Sequence, residues 1–356
     1  MALPFLSRRA ASRDHVIAVD LGGRTTKAVD VQRKNDGFLL HRFALLDAPI
    51  YEKGLSAELL AEHLKTVAQA LEARTRTVSL AIGVADSVVR HAELPTMSLE
   101  DMRQVLKNNT KQYLQQELPG HVFDCCPVVE KAAAKAADKA KAGVLPKQRV
   151  LAAGARQQLV EDLQTAVRAT GLVAEHIMPG LLGPLNAFER ALPEVFQREA
   201  VALVDIGFRH TSICLLLEGQ LMLSRVLPLG GDKFTTGLAE TLGISYAEAE
   251  GIKLGMPGEV QDQLRAFVVP LGRELRASMD FFEHEYDRPV TQAFVSGGSA
   301  RSDFILQTLH GELGVECRTW NPTGFMQHSL PPQQVVELEP ISPQLTVAVG
   351  AALAVL

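Results

Sequence analysis

The hydrophobic positions of this chain follow two periods in turn. Apolar runs at His15 to Asp20, Thr25 to Gln32 and Phe38 to Leu46 read as strands, and Asn35-Asp36-Gly37 is a hairpin signal. From Ser56 to Arg74 the spacing changes, and Leu60, Leu64, Val67 and Leu71 fall on one face of a helix. VSLAIGV, Val78 to Val84, then predicts a buried strand. The second half writes the same order again. Val201 to Asp205, Thr211 to Leu217 and Gln220 to Leu227 predict three strands, with Glu218-Gly219 as a hairpin turn. A helix starts at Asp232, and Ala293 to Gly298 contains a buried strand. A helix from Ser302 to Leu313, a strand from Val315 to Thr319 and a C-terminal helix from Pro343 follow. Two α/β lobes related by duplication, with a cleft between them, are the expected architecture.

Two segments interrupt the repeat. Ser87 to about Gly171 predicts strand, helix, strand, strand, helix, with strands at Val88 to Leu94, Val122 to Val129 and Gln148 to Ala153. Its first helix, Leu99 to Gln116, opens on the capping box Ser98-x-x-Asp101 and carries Met102, Val105, Leu106 and Tyr113 on one face. Glu130 to Gly143, EKAAAKAADKAKAG, is low in complexity and reads as an exposed, partly helical hairpin extension. Gly243 to about Arg288 predicts a mostly helical insert that begins with a second capping box, Ser245-x-x-Glu248. The expected division is therefore a first-lobe core of 14–86 plus 172–199 with an inserted subdomain of 87–171. The second lobe would be 200–242 plus 289–356, with a helical insert of 243–288.

Composition acts mainly by exclusion. At 356 residues the chain is longer than one hydrophobic core usually supports. A net charge of −5 without a basic stripe argues against nucleic acid, because neutralising phosphates needs clustered Lys and Arg. Cys125, Cys126, Cys214 and Cys317 have neither a zinc spacing nor a disulfide framework, as expected of reduced thiols. No run of 18 apolar residues predicts a membrane span. The N-terminal MALPFLSRRA lacks the apolar segment of a signal peptide, and Phe5, Arg8 and Arg9 leave a peripheral lipid contact open.

The chemistry lies in what the duplication repeats. AVDLGGRTTKAVDV and LVDIGFRHTSICLL pair Asp20 with Asp205, Gly22 with Gly207, Arg24 with Arg209 and Thr26 with Thr211. A tight turn rich in Gly and Thr presents backbone N–H groups to phosphate oxygens. An aspartate at the tip of the preceding strand can hold Mg²⁺ through water, and Mg²⁺ takes few carboxylates alongside substrate phosphates. Two such turns on opposite lobes would clamp a nucleoside triphosphate, the candidates being Asp20, Gly22, Gly23, Thr25, Thr26, Asp205, Gly207 and Thr211. LGGDKF puts Gly230 and Gly231 at a helix start, a further anion site. AEGIK puts Glu250 and Lys253 on one helical face. SGGSA, with Gly297, Gly298 and Ser299, lets backbone approach a base or ribose.

These motifs resemble the actin-like ATPase superfamily, and within it the type IV pilus assembly PilM family, over nearly the whole chain. The cell-division protein FtsA and the cytoplasmic part of GspL are similar relatives. DLGGRTTKAV resembles the family's first phosphate motif, which places Lys27 where a phosphate-contacting lysine stands. DIGFRHTSI resembles the second phosphate motif, AEGIK the adenosine-side Glu and Lys, and VSGGSAR the adenosine motif. The resemblance implies two RNase H-like lobes, an extra α+β subdomain in the first, and ATP or ADP with Mg²⁺ held through Asp20 and Asp205. Two departures stand out. Gly23 and Arg24 follow the first glycine where the family runs small, and Phe208, Arg209 and His210 occupy the second turn.

A scaffold role is the leading expectation, at the inner face of the inner membrane. Its partner would be a PilN-like single-pass protein, bound by a short cytoplasmic peptide in a groove of 87–171. The alternatives are self-association of the insert, a polymerising FtsA-like ATPase and a sugar or metabolite kinase. A kinase of this fold needs an aspartate base in the cleft. None is marked, and order alone yields no Ser-His-Asp or Cys-His arrangement, so no catalytic residue is assigned.

Overall fold

A computed structural model describes residues 14–49, 56–128, 147–255 and 257–356. The N-terminal MALPFLSRRA and the segment Glu130 to Gly143, with the expectations attached to them, lie outside the described residues. In the first half β1 (His15–Asp20), β2 (Thr25–Lys34) and β3 (Gly37–Asp47) make an antiparallel meander, followed by α1 (Ala57–Ala70) and β4 (Thr77–Ile82). Ser56 caps α1, its side chain accepting from Leu59 N at 3.3 Å. Next come β5 (Ser87–Pro95), α2 (Leu99–Asn108), α3 (Thr110–Leu114), β6 (His121–Pro127) and β7 (Lys147–Arg156). α4 (Gln157–Ala169), β8 (Val173–Pro179), α5 (Gly183–Ala191) and α6 (Pro193–Arg198) end the half.

The second half contains β9 (Ala200–Ile206), β10 (Thr211–Leu217), β11 (Gln220–Leu227), α7 (Gly231–Leu242), α8 (Tyr246–Gly255) and α9 (Gln261–Tyr286). β12 (Gln292–Ser296), α10 (Asp303–Leu313), β13 (Glu316–Thr319), β14 (Gln327–His328), α11 (Pro332–Ile341) and α12 (Thr346–Leu353) complete it. One sheet runs β14-β3-β2-β1-β4-β8 and the other β11-β10-β9-β12-β13. Removing β14 leaves the same order, meander first and two parallel strands last. The register agrees as well. Asp20 stands beside Ala81 of β4, and Asp205 beside Ser296 of β12. The duplication read from the motifs is therefore a duplication of topology.

Packing moves three boundaries. α4, expected in the insert, lies elsewhere: its Val160, Leu163, Ala166 and Val167 share a core with Leu60, Leu64 and Val67 of α1 beneath the first sheet. It occupies the place that α10 holds in the second lobe, so the insert ends at Arg156 rather than near Gly171. α9, expected inside 243–288, buries Leu264, Val268, Leu271, Leu275, Met279 and Phe282 against the second sheet. It is a core helix, and α8 with its small cluster around Leu238, Ala249 and Val260 forms the true appendage. Finally, the tail of the chain crosses over. α12 packs on α5 and on β1, β2 and β4, while β14 pairs with β3, so this part of 289–356 completes the first lobe.

The insert is a three-stranded sheet, β5-β7-β6, covered by α2 and α3. The single helix expected from Leu99 to Gln116 breaks at Asn109, whose φ of −134° leaves the helical region. Its Nδ2 donates to Val105 O at 3.3 Å, the kind of side-chain bond that competes with the helical ladder. Ser98 and Ser245 both cap their helices, and the second pair closes as a full reciprocal box. Asp101 N donates to Ser98 Oγ at 3.2 Å, Glu248 N to Ser245 Oγ at 3.3 Å, and Ser245 N back to Glu248 Oε2 at 2.9 Å.

Candidate functional site

The two Asp-Gly turns meet at the cleft. Each aspartate stands at the C-terminal end of a central strand, Asp20 last in β1 and Asp205 next to last in β9, at equivalent places in the two lobes. Lys27 Nζ, from the neighbouring strand of the first lobe, donates to Asp20 Oδ2 at 3.1 Å. Ser296 Oγ donates to Asp205 Oδ1 at 2.8 Å. Burial lifts the Asp205 carboxyl above the usual carboxylate range, Ser296 and Lys27 pull it down, and the charge of Asp20 adds to the rise. A cation between these carboxylates would offset that cost.

Glycine is required in the first turn. A Cβ on Gly22 would lie 2.4 Å from Thr25 O and 2.6 Å from Lys27 Nζ. Gly297 holds φ of +92°, and a Cβ there would lie 2.3 Å from Ile206 O. Residues of both lobes, Gly297 among them, line a cavity of about 330 Å³. Its walls include Asp20, Thr25, Lys27, Asp205, Gly207, Gly231, Glu250, Lys253, Gly297, Gly298 and Ser299. A second cavity of about 280 Å³ continues past the turns and adds Gly22, Gly23 and Thr26. Phe208 borders both cavities. It rests against Gly23 of the opposite lobe, where a Cβ would lie 3.6 Å from the ring, so the bulky second turn packs on the first.

Two proposed residues lie outside both cavities. Thr211 is buried, and its hydroxyl donates to Leu229 O at 2.7 Å within its own lobe. Gly230 caps α7, whose first amides are already used. Gly231 N donates to Gly207 O at 2.9 Å and Asp232 N to Phe208 O at 2.8 Å. The start of α7 thus braces the second turn instead of offering a free anion site. Thr26 borders the smaller cavity, with Oγ1 2.7 Å from His63 Nε2.

Glu250 and Lys253 do share a face of α8. Lys253 is 2% exposed, and its Nζ donates to Glu250 Oε2 at 2.8 Å and to Thr235 Oγ1 at 2.9 Å. Burial pulls the Lys253 amine below its usual range, and Glu250 works against that. Burial would raise the Glu250 carboxyl, but Lys253, Thr235 and Arg24 together hold it below its usual range.

Several lining residues carried no signal in the sequence. Gln344 borders the larger cavity, and its Nε2 is buried with no hydrogen-bond partner. Asp86 borders the smaller one, with a carboxyl raised by burial and lowered by Arg156 and His210. Asp86 sits in the loop after β4 and Gln344 on a short 3₁₀ turn (Ser342–Gln344) before α12, so their nearness to the turns is set only by the fold. No group of three or more His, Cys, Asp or Glu suited to a metal occurs among the described residues. The donor set of two carboxylates matches a Mg²⁺ that keeps its waters and phosphate ligands, and not an all-protein cage.

Residues 18–355 match the family described as Type IV pilus assembly protein PilM. The chain belongs to that family. Its fold is shared with the solved PilM-PilN type IV pilus biogenesis complex, at a TM-score of 0.81 and 24% identity, covering 96% of this chain and 98% of that one. MreB 5 of Spiroplasma citri bound to AMPPNP aligns with a TM-score of 0.51 at 11% identity, covering 96% of each chain. Among curated proteins, Bacillus subtilis (strain 168) FtsA is 35% identical over 95 residues, which is 27% of this chain and 21% of FtsA. The match to that curated relative therefore spans about a fifth of its length. The architecture is the actin-like ATPase fold. Among the described residues no helix is long and apolar enough to cross a membrane.

Proposed function

We propose that this PilM-family chain is a scaffold component of a type IV pilus or related secretion machine, acting at the inner face of the inner membrane. ATP with Mg²⁺ would occupy the interlobe cleft and set the relation between the lobes. The observation that carries this reading is the pair of facing aspartate turns on a glycine cradle in the 330 Å³ cavity. Asp20 and Asp205 would hold Mg²⁺ through water, Lys27 and the turn backbone the phosphates, and Glu250 and Lys253 the ribose side. The buried, unpartnered Nε2 of Gln344 suits an acceptor on the nucleoside. Bound Mg²⁺ would supply charge neutralisation to the phosphates. Calorimetry with ATP–Mg²⁺ tests the reading. Binding by the wild type should disappear in Asp20→Ala and Asp205→Ala, and absence of binding at millimolar ATP would remove it.

The partner is proposed from the complex in which the structural neighbour was solved. A short cytoplasmic peptide of a PilN-like membrane protein would dock on the insert between Ser87 and Arg156. Weak turnover is part of the same proposal, because Phe208, Arg209 and His210 crowd the second turn. The FtsA match favours one other reading, a polymerising ATPase. Pelleting of filaments that depends on ATP would support it over the scaffold.

A further inference from the structure

Arg24 crosses from the first lobe to the second. Its backbone is fixed in the first turn, where Ala48 N donates to Arg24 O at 2.8 Å. Its side chain reaches over to the other lobe. Nη1 donates to Tyr246 Oη at 3.2 Å and stands 3.6 Å from Glu250 Oε2. The guanidinium also lies 5.2 Å from the Tyr246 ring centre and 5.8 Å from that of Phe208. Tyr246 is held in turn, its Oη donating to Asp232 Oδ1 at 2.9 Å. The result is a bridge across the mouth of the larger cavity.

The bridge is weak at its charged end. Arg24 is 42% exposed, and its ion pair with Glu250 is long, a geometry that contributes little. Glu250 also has the nearer Lys253 and Thr235. Guanidinium bound to phosphate through two parallel hydrogen bonds is among the strong charge-assisted pairs. Arg24 borders the cavity that contains Glu250, Lys253 and Gly297 to Ser299, and not the one that contains Arg209, His210 and Asp86. It therefore stands on the nucleoside side of the turns.

We propose that Arg24 is a cross-cleft clasp that the phosphates nearest the nucleoside draw away from Glu250 and Tyr246, tying lobe contact to occupancy of the cleft. This rests on the nucleotide reading above. Because Arg24 faces the inner phosphates, it reads di- and triphosphates alike and does not read the nucleoside itself.

The test is calorimetric titration of the full chain with ATP–Mg²⁺, ADP–Mg²⁺ and adenosine. Arg24→Ala should weaken ATP and ADP by a similar ten- to hundredfold, the range for hydrogen bonds to charged groups, and leave adenosine unchanged. Arg24→Lys should recover part of the phosphate affinity, since it keeps charge but loses the paired geometry. Tyr246→Phe should tighten ATP a few-fold by freeing the guanidinium. Melting curves of each variant without ligand report whether it folds, and Arg24→Lys stands in if Arg24→Ala does not. Equal losses for adenosine and ATP in Arg24→Ala, or no loss for either, overturn the clasp while leaving the nucleotide site intact. A wild type that binds none of the three ligands overturns the site, and the clasp falls with it.

Discussion

Gly350 of α12 lies directly on the backbone of Gly183 in α5: a Cβ on Gly350 would fall 1.9 Å from Gly183 O. α5 follows β8 and α12 ends the described chain, and the two cross within the first lobe, where α12 also packs on β1, β2 and β4. Asn186 Nδ2 donates to Gly350 O at 3.3 Å beside the contact. Gly350→Ala should therefore destabilise the protein by about 2 kcal/mol or more, since the helices must separate to admit one methyl group. Gly311, a helical glycine of α10 with open space around its Cβ position, is the control. Gly311→Ala should be neutral or stabilise by about 0.5–1 kcal/mol. Urea unfolding of both variants checks the pair, and equal effects would mean that the crossing is not tightly packed.

Asp205 should trade stability for binding. Burial raises its carboxyl, so the folded chain holds that proton more tightly than the unfolded chain does. Its contribution is then full below the ordinary carboxylate range and is lost as pH rises through the folded value. Asp205→Asn keeps the size of the side chain and an oxygen for the Ser296 hydroxyl. At neutral pH it should raise stability by about 1 kcal/mol, with the gain shrinking in acid. The same variant should lose the rise in melting temperature that ATP–Mg²⁺ gives the wild type. Thermal melts at pH 7 and pH 4, with and without ligand, separate these effects. A destabilised variant at pH 7 would show that the charge of Asp205 is already compensated.

His91 gives the opposite slope. It lies on β5 of the insert, and its Nε2 is 2.8 Å from Leu221 O in the second lobe. Burial pushes its pKa down to about 4, with Arg149 adding to the effect and the Leu221 carbonyl opposing it. The unfolded chain binds the proton more readily, so this group's contribution is present above about pH 6.5 and is lost as pH falls towards 4. Nδ1 is buried without a partner, which makes a second proton costly to place. Between pH 7 and pH 5 the wild type should lose on the order of 1–2 kcal/mol more than His91→Gln, which can still donate to Leu221. Denaturant titrations at the two pH values measure the difference, and parallel losses would remove His91 as the cause.

The lobes were legible in the sequence because their signals are local. Apolar runs, the Asn-Asp-Gly and Glu-Gly hairpins and the Ser98 and Ser245 caps each act within a few residues, and all are present in the structure. Helix membership was not legible. α4 and α9 are amphipathic like any surface helix, and only the partners of Val160, Leu163, Leu264 and Leu275 show that they complete the two cores. The site divided in the same way. Asp20, Asp205 and the glycines around them follow from strand ends and turns. Arg24 meets Tyr246 across 222 positions, and Gln344 arrives on a short 3₁₀ turn before α12, so both depend on how the lobes close. Gly230 and Thr211 lie outside both cavities because the amides that follow Gly230 and the hydroxyl of Thr211 are already bonded to nearby carbonyls.

The insert offers the clearest separation of partner binding from nucleotide binding. Ser87 and Ala155 are direct partners across β5 and β7, so the two ends of the insert emerge side by side. A short Gly-Ser turn can therefore replace the segment between them without stretching the chain, and α4 stays in the first core. Removing the segment also removes Val89, Leu151 and Ala153 from the central hydrophobic cluster, which should cost a few kcal/mol. ATP–Mg²⁺ in the buffer should offset part of that loss, since a bound ligand stabilises the folded lobes. The shortened protein should lose affinity for a PilN-like cytoplasmic peptide, measured by fluorescence anisotropy, and retain a nucleotide-dependent melting shift. Retention of the shift shows that the lobes have folded. Peptide binding that survives in such a protein would move the partner site off the three-stranded sheet and onto the lobes themselves.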